Sequence, residues 1–309
     1  MNTIGIQEIE KALANLRLGS PQVHSNLALF PLVGEAAAAD YVLLDEAIER
    51  GLARVTEVSA EGRVPELAFE NASARKILLV DGDELVGAKQ NRVLNLSILV
   101  GPGRKVVIPV SCVEQGRWRS RGEHFGSARR SLFSSARAKS SRSVTQSLSS
   151  SGTRRSNQSQ VWADIGEKML LCGASSETGA VGDLYASRDQ DLSAYVHAFR
   201  AEPRQRGAVV AIDGKVVGLE LFDSPQAFEH YLGKLVRSYA LDALPTSSGK
   251  ALSPTEDAVR RFLDSLLSAG AERFAALGEG EDIRLSGNGV TGGALASNGR
   301  VVHLAGFAV

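Results

Sequence analysis

The residues of this 309-residue chain that are best suited to chemistry lie between Asp81 and Trp118. Lys89, Arg92 and Arg117 supply cations, lysine as a point charge and arginine as a planar fork that matches phosphate or carboxylate. Gln90, Asn91 and Asn95 add amides, and Asn91 and Asn95 suit the reading of hydroxyls. Trp118 offers a face on which a base can stack. Gly87 lets backbone approach a ligand closely. Together these are the parts of a site for a nucleotide or sugar phosphate. The bland alternative is that the cations pair with Asp83, Glu84 and Glu114 as salt bridges at strand ends.

Three further residues are catalytic candidates. Glu84 and Glu114 could form a general acid/base pair or hold a cation, and Glu84 is the better acid/base candidate. Cys112 follows Ser111 and precedes Glu114 by two residues. Nearby cations could lower its pKa and make it a nucleophile. An apolar run precedes it and no histidine lies close in sequence, so a buried thiol is the simpler reading.

The elements that would position these groups are mostly strands. Residues 76–87, 208–222 and 293–307 each read as an apolar run, a two-residue Asp-Gly or Asn-Gly turn, and a second apolar run. That is the strongest short hairpin signal, because a type I′ turn needs positive φ at both central positions. Further strands are expected at 26–32, 53–58, 64–70, 92–100 and 105–111, the last two joined as a hairpin across Gly101–Gly103. Pairing of the 92 and 105 strands would bring Arg92 and Arg117 to one rim with Lys89. Helices are expected at 43–50, at 160–171, from Ser224-Pro225, and from Ser253-Pro254-Thr255-Glu256, where an N-cap serine, a first-turn proline and a capping-box glutamate coincide. Strands followed by grouped helices indicate an α+β fold. The expected architecture is an antiparallel, β-rich, sandwich-like core built from hairpins, with peripheral helices mostly in the C-terminal half.

Residues 1–20 read as an N-terminal helical extension with Ile4, Ile9, Leu13 and Leu16 on one face, and 21–309 as a single domain. The formal net charge is zero, but 117–155 hold ten Arg or Lys residues against one acid, Glu123, together with twelve serines. Residues 119–157 are therefore expected to be a flexible Ser/Arg-rich insertion. A basic arm of this kind could bind nucleic acid, since counterion release needs no sequence reading.

Several classes are disfavoured. No apolar run approaches the length of a membrane helix, and the N-terminus lacks the layout of a signal peptide, so a soluble cytoplasmic protein is expected. Only Cys112 and Cys172 are present, without a CxxC pair, and the five histidines are scattered, so no metal centre is expected. Walker, GxGxxG and GxSxG signatures are absent. No cofactor is assigned, and whether the chain is an enzyme stays open.

The blocks GDELVGAKQNR and PVSCVEQGRW, and more weakly SQVWADIGEKM, resemble a bacterial domain family, the ADP-ribosylglycohydrolase- and rhodanese-phosphatase-associated domain family. The resemblance extends over most of the chain from about His24. Its motif blocks cover Glu84, Gly87, Lys89, Gln90, Asn91, Arg92, Asn95, Ser111, Cys112, Glu114, Gly116, Arg117 and Trp118. The family's name comes from genomic company, which implies a role near ADP-ribose or NAD-derived compounds. The resemblance supplies no catalytic residue. The expectation is a protein that binds or processes a phosphorylated nucleoside. The alternatives are a module that docks a protein partner and a nucleic-acid binder acting through 117–155.

Overall fold

The computed structural model describes every residue except 1–3, 37, 60–61, 120–121 and 248–249. The fold is α+β with a β-rich core. Among the described residues, the pairing of Tyr41–Leu43 with Lys76–Leu79 is the one parallel strand pair. The chain forms two compact units. One comprises 1–39, 191–276 and 280–309, and the other 40–190 with 277–279.

The first unit is organised on a nine-stranded antiparallel sheet. Two of the expected hairpins are present here. Gln205–Ile212 pairs with Lys215–Phe222 across Asp213-Gly214, whose φ values are +50° and +73°. Val290–Ser297 pairs with Arg300–Ala308 across Asn298-Gly299, at +52° and +73°. Positive φ at both central residues matches the right-handed twist of the strands they join. The helices Ile4–Ala14 and Glu256–Leu267 pack Ile9, Leu13, Val259, Phe262 and Leu266 into a core with Leu219, Leu221, Ile283 and Leu304. The N-terminal helix therefore belongs to this core and is not an appendage. The helix Pro225–Ala243 starts as its sequence signals, with Ser224 accepting from the Ala227 amide. The helix expected from Ser253 begins at Glu256 instead. Thr255 caps it, accepting from the Ala258 amide at 3.3 Å, which puts Glu256 and Asp257 in the first turn where the helix dipole favours acids.

The second unit holds two sheets. A three-stranded sheet orders Ile98–Val100, Lys76–Leu79 and Tyr41–Leu43. A six-stranded sheet orders Phe125–Ser131, Asp83–Gly87, Arg92–Leu94, Lys105–Cys112, Glu66–Asn71 and Ala53–Glu57. Side chains of both enter one core, among them Ile77, Leu79 and Ile98 from the small sheet and Leu67, Phe69, Leu85 and Ile108 from the large one.

Two expected hairpins are therefore corrected. Asp81-Gly82 carries the chain from one sheet to the other. Gly82 alone takes positive φ, +82°, so no type I′ turn forms. The predicted strand 92–100 likewise splits at residues 95–97, and its halves join different sheets, leaving Gly101–Gly103 outside any hairpin. The two crossings are tied together, because the Asp81 amide donates to Ser97 Oγ at 3.0 Å and the Gly82 amide to the Leu94 carbonyl at 2.8 Å.

The Ser/Arg-rich segment, expected to be flexible, carries the strand Phe125–Ser131 and the helix Ser134–Ser151. Its serines are compatible with a helix because their hydroxyls bond the preceding turn, as Ser149 does to the Thr145 carbonyl and Ser151 to that of Ser147. One face buries Ala136, Arg137, Ser141, Val144, Thr145 and Leu148. Small side chains at helical spacing give a packing face that a hydrophobic pattern search passes over. No helix among the described residues is long and apolar enough to cross a membrane.

Candidate functional site

The site lies in the second unit, where Asp83–Gly87, Arg92–Leu94 and Lys105–Cys112 run side by side. Val110, Ser111 and Cys112 face Leu94, Val93 and Arg92 in antiparallel register. The pairing expected to gather Arg92 and Arg117 at one end thus exists, although it is not made by a hairpin. Asp83–Gly87 and Arg92–Leu94 form a tight turn through 88–91. Gly87, at φ +137°, passes so close to the next strand that a Cβ would sit 2.6 Å from the His124 carbonyl oxygen. Ala88 takes φ +35°, a strained setting for a residue with a side chain.

Arg117 holds this turn. Its Nη1 donates to the carbonyls of Ala88 at 2.7 Å and Arg119 at 2.9 Å, and its Nη2 donates to Asn91 Oδ1 at 3.0 Å and pairs with Glu114 Oε2 at 2.7 Å. Glu114 is buried and also accepts from the Asn91 amide and from Thr178 Oγ1. Burial raises its pKa, but the Arg117 hydrogen bond and charge outweigh that, so the net direction is downward.

Arg92 differs from Arg117. It is 0% exposed, with Nη1 donating to Gln90 Oε1 at 3.1 Å and, weakly, to the Asn91 carbonyl. Its Nε and Nη2 are buried and have no hydrogen-bond partner among the described residues. Burial lowers its pKa. Trp118 stands 49% exposed, with Lys89 Nζ 5.5 Å and Arg92 Cζ 5.7 Å from its ring centre. Lys89, Arg92 and Trp118 are therefore one group.

A family model with the description ARG and Rhodanese-Phosphatase-superfamily-associated Protein domain matches residues 15–307. The chain belongs to this family. No curated protein and no solved structure matches it.

The other predicted residues of this ARG- and rhodanese-associated domain are tied into its framework. Asn95 donates to the Arg154 carbonyl and accepts from Ser111 Oγ at 2.7 Å. Gln90 bridges Arg92 and the Gln115 carbonyl. Glu84 is buried and paired with Arg130, Nε to Oε2 at 2.5 Å and Nη2 to Oε1 at 3.2 Å. Burial still pushes its pKa up against the pull of Arg130. The two carboxylates thus shift in opposite directions, and each already holds an arginine. Cys112 is fully buried, and burial pushes its thiol up to about 11. At neutral pH it is a protonated thiol and a poor nucleophile.

Sequence reading missed three participants. Arg130 lay in the supposed insertion. Gln158 accepts from the Cys112 amide at 2.7 Å and donates to its carbonyl at 2.8 Å, pinning the strand to the helix Gln158–Cys172. Glu57, at the end of Ala53–Glu57, accepts from the Lys89 amide at 3.4 Å. A charged residue closing a strand gives no signal of its own. The basic segment has many of its cations in ion pairs: Arg129 with Glu49, Arg130 with Glu84, Arg137 with Asp81 and Lys139 with Asp164.

Proposed function

We propose that this domain binds a phosphorylated nucleoside of the ADP-ribose or NAD-derived class, with Arg92 and Lys89 holding phosphate and Trp118 stacking on a base or closing the site. The observation that carries the reading is the Arg92 guanidinium, whose Nε and Nη2 are buried and unbonded among the described residues. A buried charge with two donor nitrogens unbonded is costly, and such a group is explained where a ligand completes it. Trp118 beside it supplies the exposed aromatic face that a nucleoside needs. Arg117, in contrast, positions the turn and does not reach for ligand. The thiol state of Cys112 and the ion pairs of Glu84 and Glu114 favour recognition over covalent catalysis. The pairing of cations along 129–139 removes much of the free charge that nucleic-acid binding through 117–155 would use.

Titration calorimetry with ADP-ribose, NAD, AMP and ribose 5-phosphate tests this on wild type and on Arg92→Met. The expected result is saturable binding of at least one compound and a loss of about tenfold or more in the variant, the scale of a charge-assisted hydrogen bond. Wild type binding none of them, or Arg92→Met binding as well as wild type, would overturn it.

A further inference from the structure

Arg92 points inward from its strand. Leu85, Arg92 and Cys112 are cross-strand neighbours and therefore share a face of the sheet, and Leu85 belongs to the apolar core. The guanidinium is held from one side only, Nη1 donating to Gln90 and the Asn91 carbonyl. Nε and Nη2, unbonded among the described residues, lie together on the other edge of the plane. That edge carries the two parallel N–H bonds with which an arginine grips an oxyanion.

Neither nitrogen has surface open to solvent. With the core behind Arg92, the exposed side chain that stands against it is Trp118, whose ring centre lies 5.7 Å from Arg92 Cζ and 5.5 Å from Lys89 Nζ. The backbone around this tryptophan is tied down, because Arg117 donates both to the Ala88 carbonyl and, across Trp118, to the Arg119 carbonyl. The ring can therefore leave Arg92 by rotation of its own side chain, a fast motion for an exposed residue, without rearrangement of the loop. What opposes that rotation is the attraction of the ring for two cations, which is weak when the ring is half in water.

We propose that the Trp118 side chain is a gate over Arg92, sealing the guanidinium when it lies on Arg92 and Lys89 and uncovering Nε and Nη2 when it turns away. The proposal deepens the phosphorylated-nucleoside reading and rests on it for the ligand that the open gate admits. Such a ligand displaces the ring from both cations, which a phosphate does by its charge and an uncharged nucleoside does not.

Phenylglyoxal, which condenses with guanidinium groups, tests the gate without any ligand. The modified residues of wild type and Trp118→Ala are mapped by mass spectrometry over time, with buried Arg137 reporting any loosening of the fold. Arg92 should react slowly in wild type and about tenfold faster in Trp118→Ala, the ratio that two weak cation–π contacts set, while Arg137 stays protected. Should Arg137 also become reactive in the alanine variant, Trp118→Phe decides. Phenylalanine holds cations less well than tryptophan, so Arg92 should still react faster than in wild type, and a wild-type rate there overturns the proposal. An Arg92 rate unchanged in folded Trp118→Ala means that the core alone seals the guanidinium and overturns it too. So does an Arg92 that reacts in wild type as fast as the exposed Arg50. These outcomes leave the phosphate reading standing, because that reading is decided by calorimetry and not by access of the reagent.

Discussion

Arg92 and Cys112 are cross-strand partners at the end of the pairing between Arg92–Leu94 and Lys105–Cys112, and both are fully buried. Burial acts on the two in opposite senses. It lowers the pKa of the guanidinium and raises that of the thiol to about 11, with Arg92 drawing the thiol only part of the way back. Cys112 should therefore resist alkylation in the native state at pH 8 and react fully once unfolded, as peptide mapping by mass spectrometry would show.

The same shift fixes a pH dependence. The folded protein holds the Cys112 proton up to about pH 11, against the ordinary thiol value of 9.0. The stability this contributes is complete below pH 9 and is lost as pH rises towards 11, because only the unfolded chain releases the proton in that window. The slope should reach up to about 1.4 kcal/mol per pH unit. Urea unfolding between pH 8.5 and 11 should show the decline in wild type and a shallower one in Cys112→Ala. Equal slopes would mean that the thiol is not held protonated.

Arg92→Met should make the unliganded protein more stable. The methionine fills similar apolar volume without the two unbonded donor nitrogens, and removing a buried charge of this kind is worth about 1–3 kcal/mol. A gain in urea midpoint joined to a loss of ligand affinity is the expected combination, the usual trade of stability against function at a binding site. A loss of stability of similar size would identify Arg92 as a framework residue.

Glu84 and Glu114 should respond to pH with opposite signs. The pKa of Glu114 is depressed, so its contribution is present above the ordinary carboxylate value of 4.5 and is lost as pH falls through the lower, folded value. The pKa of Glu84 is raised, so its contribution is present below 4.5 and is lost as pH rises through the higher one. In plots of urea midpoint against pH, Glu114→Gln should flatten the acid limb and Glu84→Gln should lessen the decline above 4.5. Identical profiles for the two variants would contradict these environments.

Much of the first unit was readable from local chemistry, and what was not readable, mostly in the second, has identifiable causes. Asp213-Gly214 and Asn298-Gly299 gave their hairpins because positive φ at consecutive residues is a local property. Asp81-Gly82 carried the same signal, but sheet membership of the flanking runs is decided by burial in a two-sheet core. Ser134–Ser151 was hidden because its packing face is made of Ala, Ser, Val and Thr. At the site, the residues that gather at Trp118 were visible as types, whereas their roles were not. Arg92 and Arg117 look alike in sequence, yet among the described residues Arg92 leaves both Nε and Nη2 unbonded, whereas Arg117 leaves only Nε so and is fixed to the turn by Glu114, Asn91 and carbonyls. Glu57 reaches the site through strand register with Leu67, a long-range fact that no spacing near Lys89 encodes.

That distinction makes Arg117 the sharpest test of framework against contact. Its guanidinium gathers the Ala88 and Arg119 carbonyls, Asn91 and buried Glu114, so it stabilises a turn that contains the strained φ of Ala88 and the close approach of Gly87. Arg117→Ala strands the Glu114 carboxylate in the interior, and breaking a buried pair from one side costs about 3 kcal/mol. Arg117→Lys should recover little of this, because a point charge cannot serve four acceptors held in the geometry of a planar fork. Hydrogen exchange should accelerate at the amides of residues 87–91 in both variants, and ligand affinity should fall because Lys89 lies in that turn and Arg92 follows it. If Arg117 instead touched phosphate directly, alanine would lower affinity while leaving urea stability and the exchange of residues 87–91 at wild-type values.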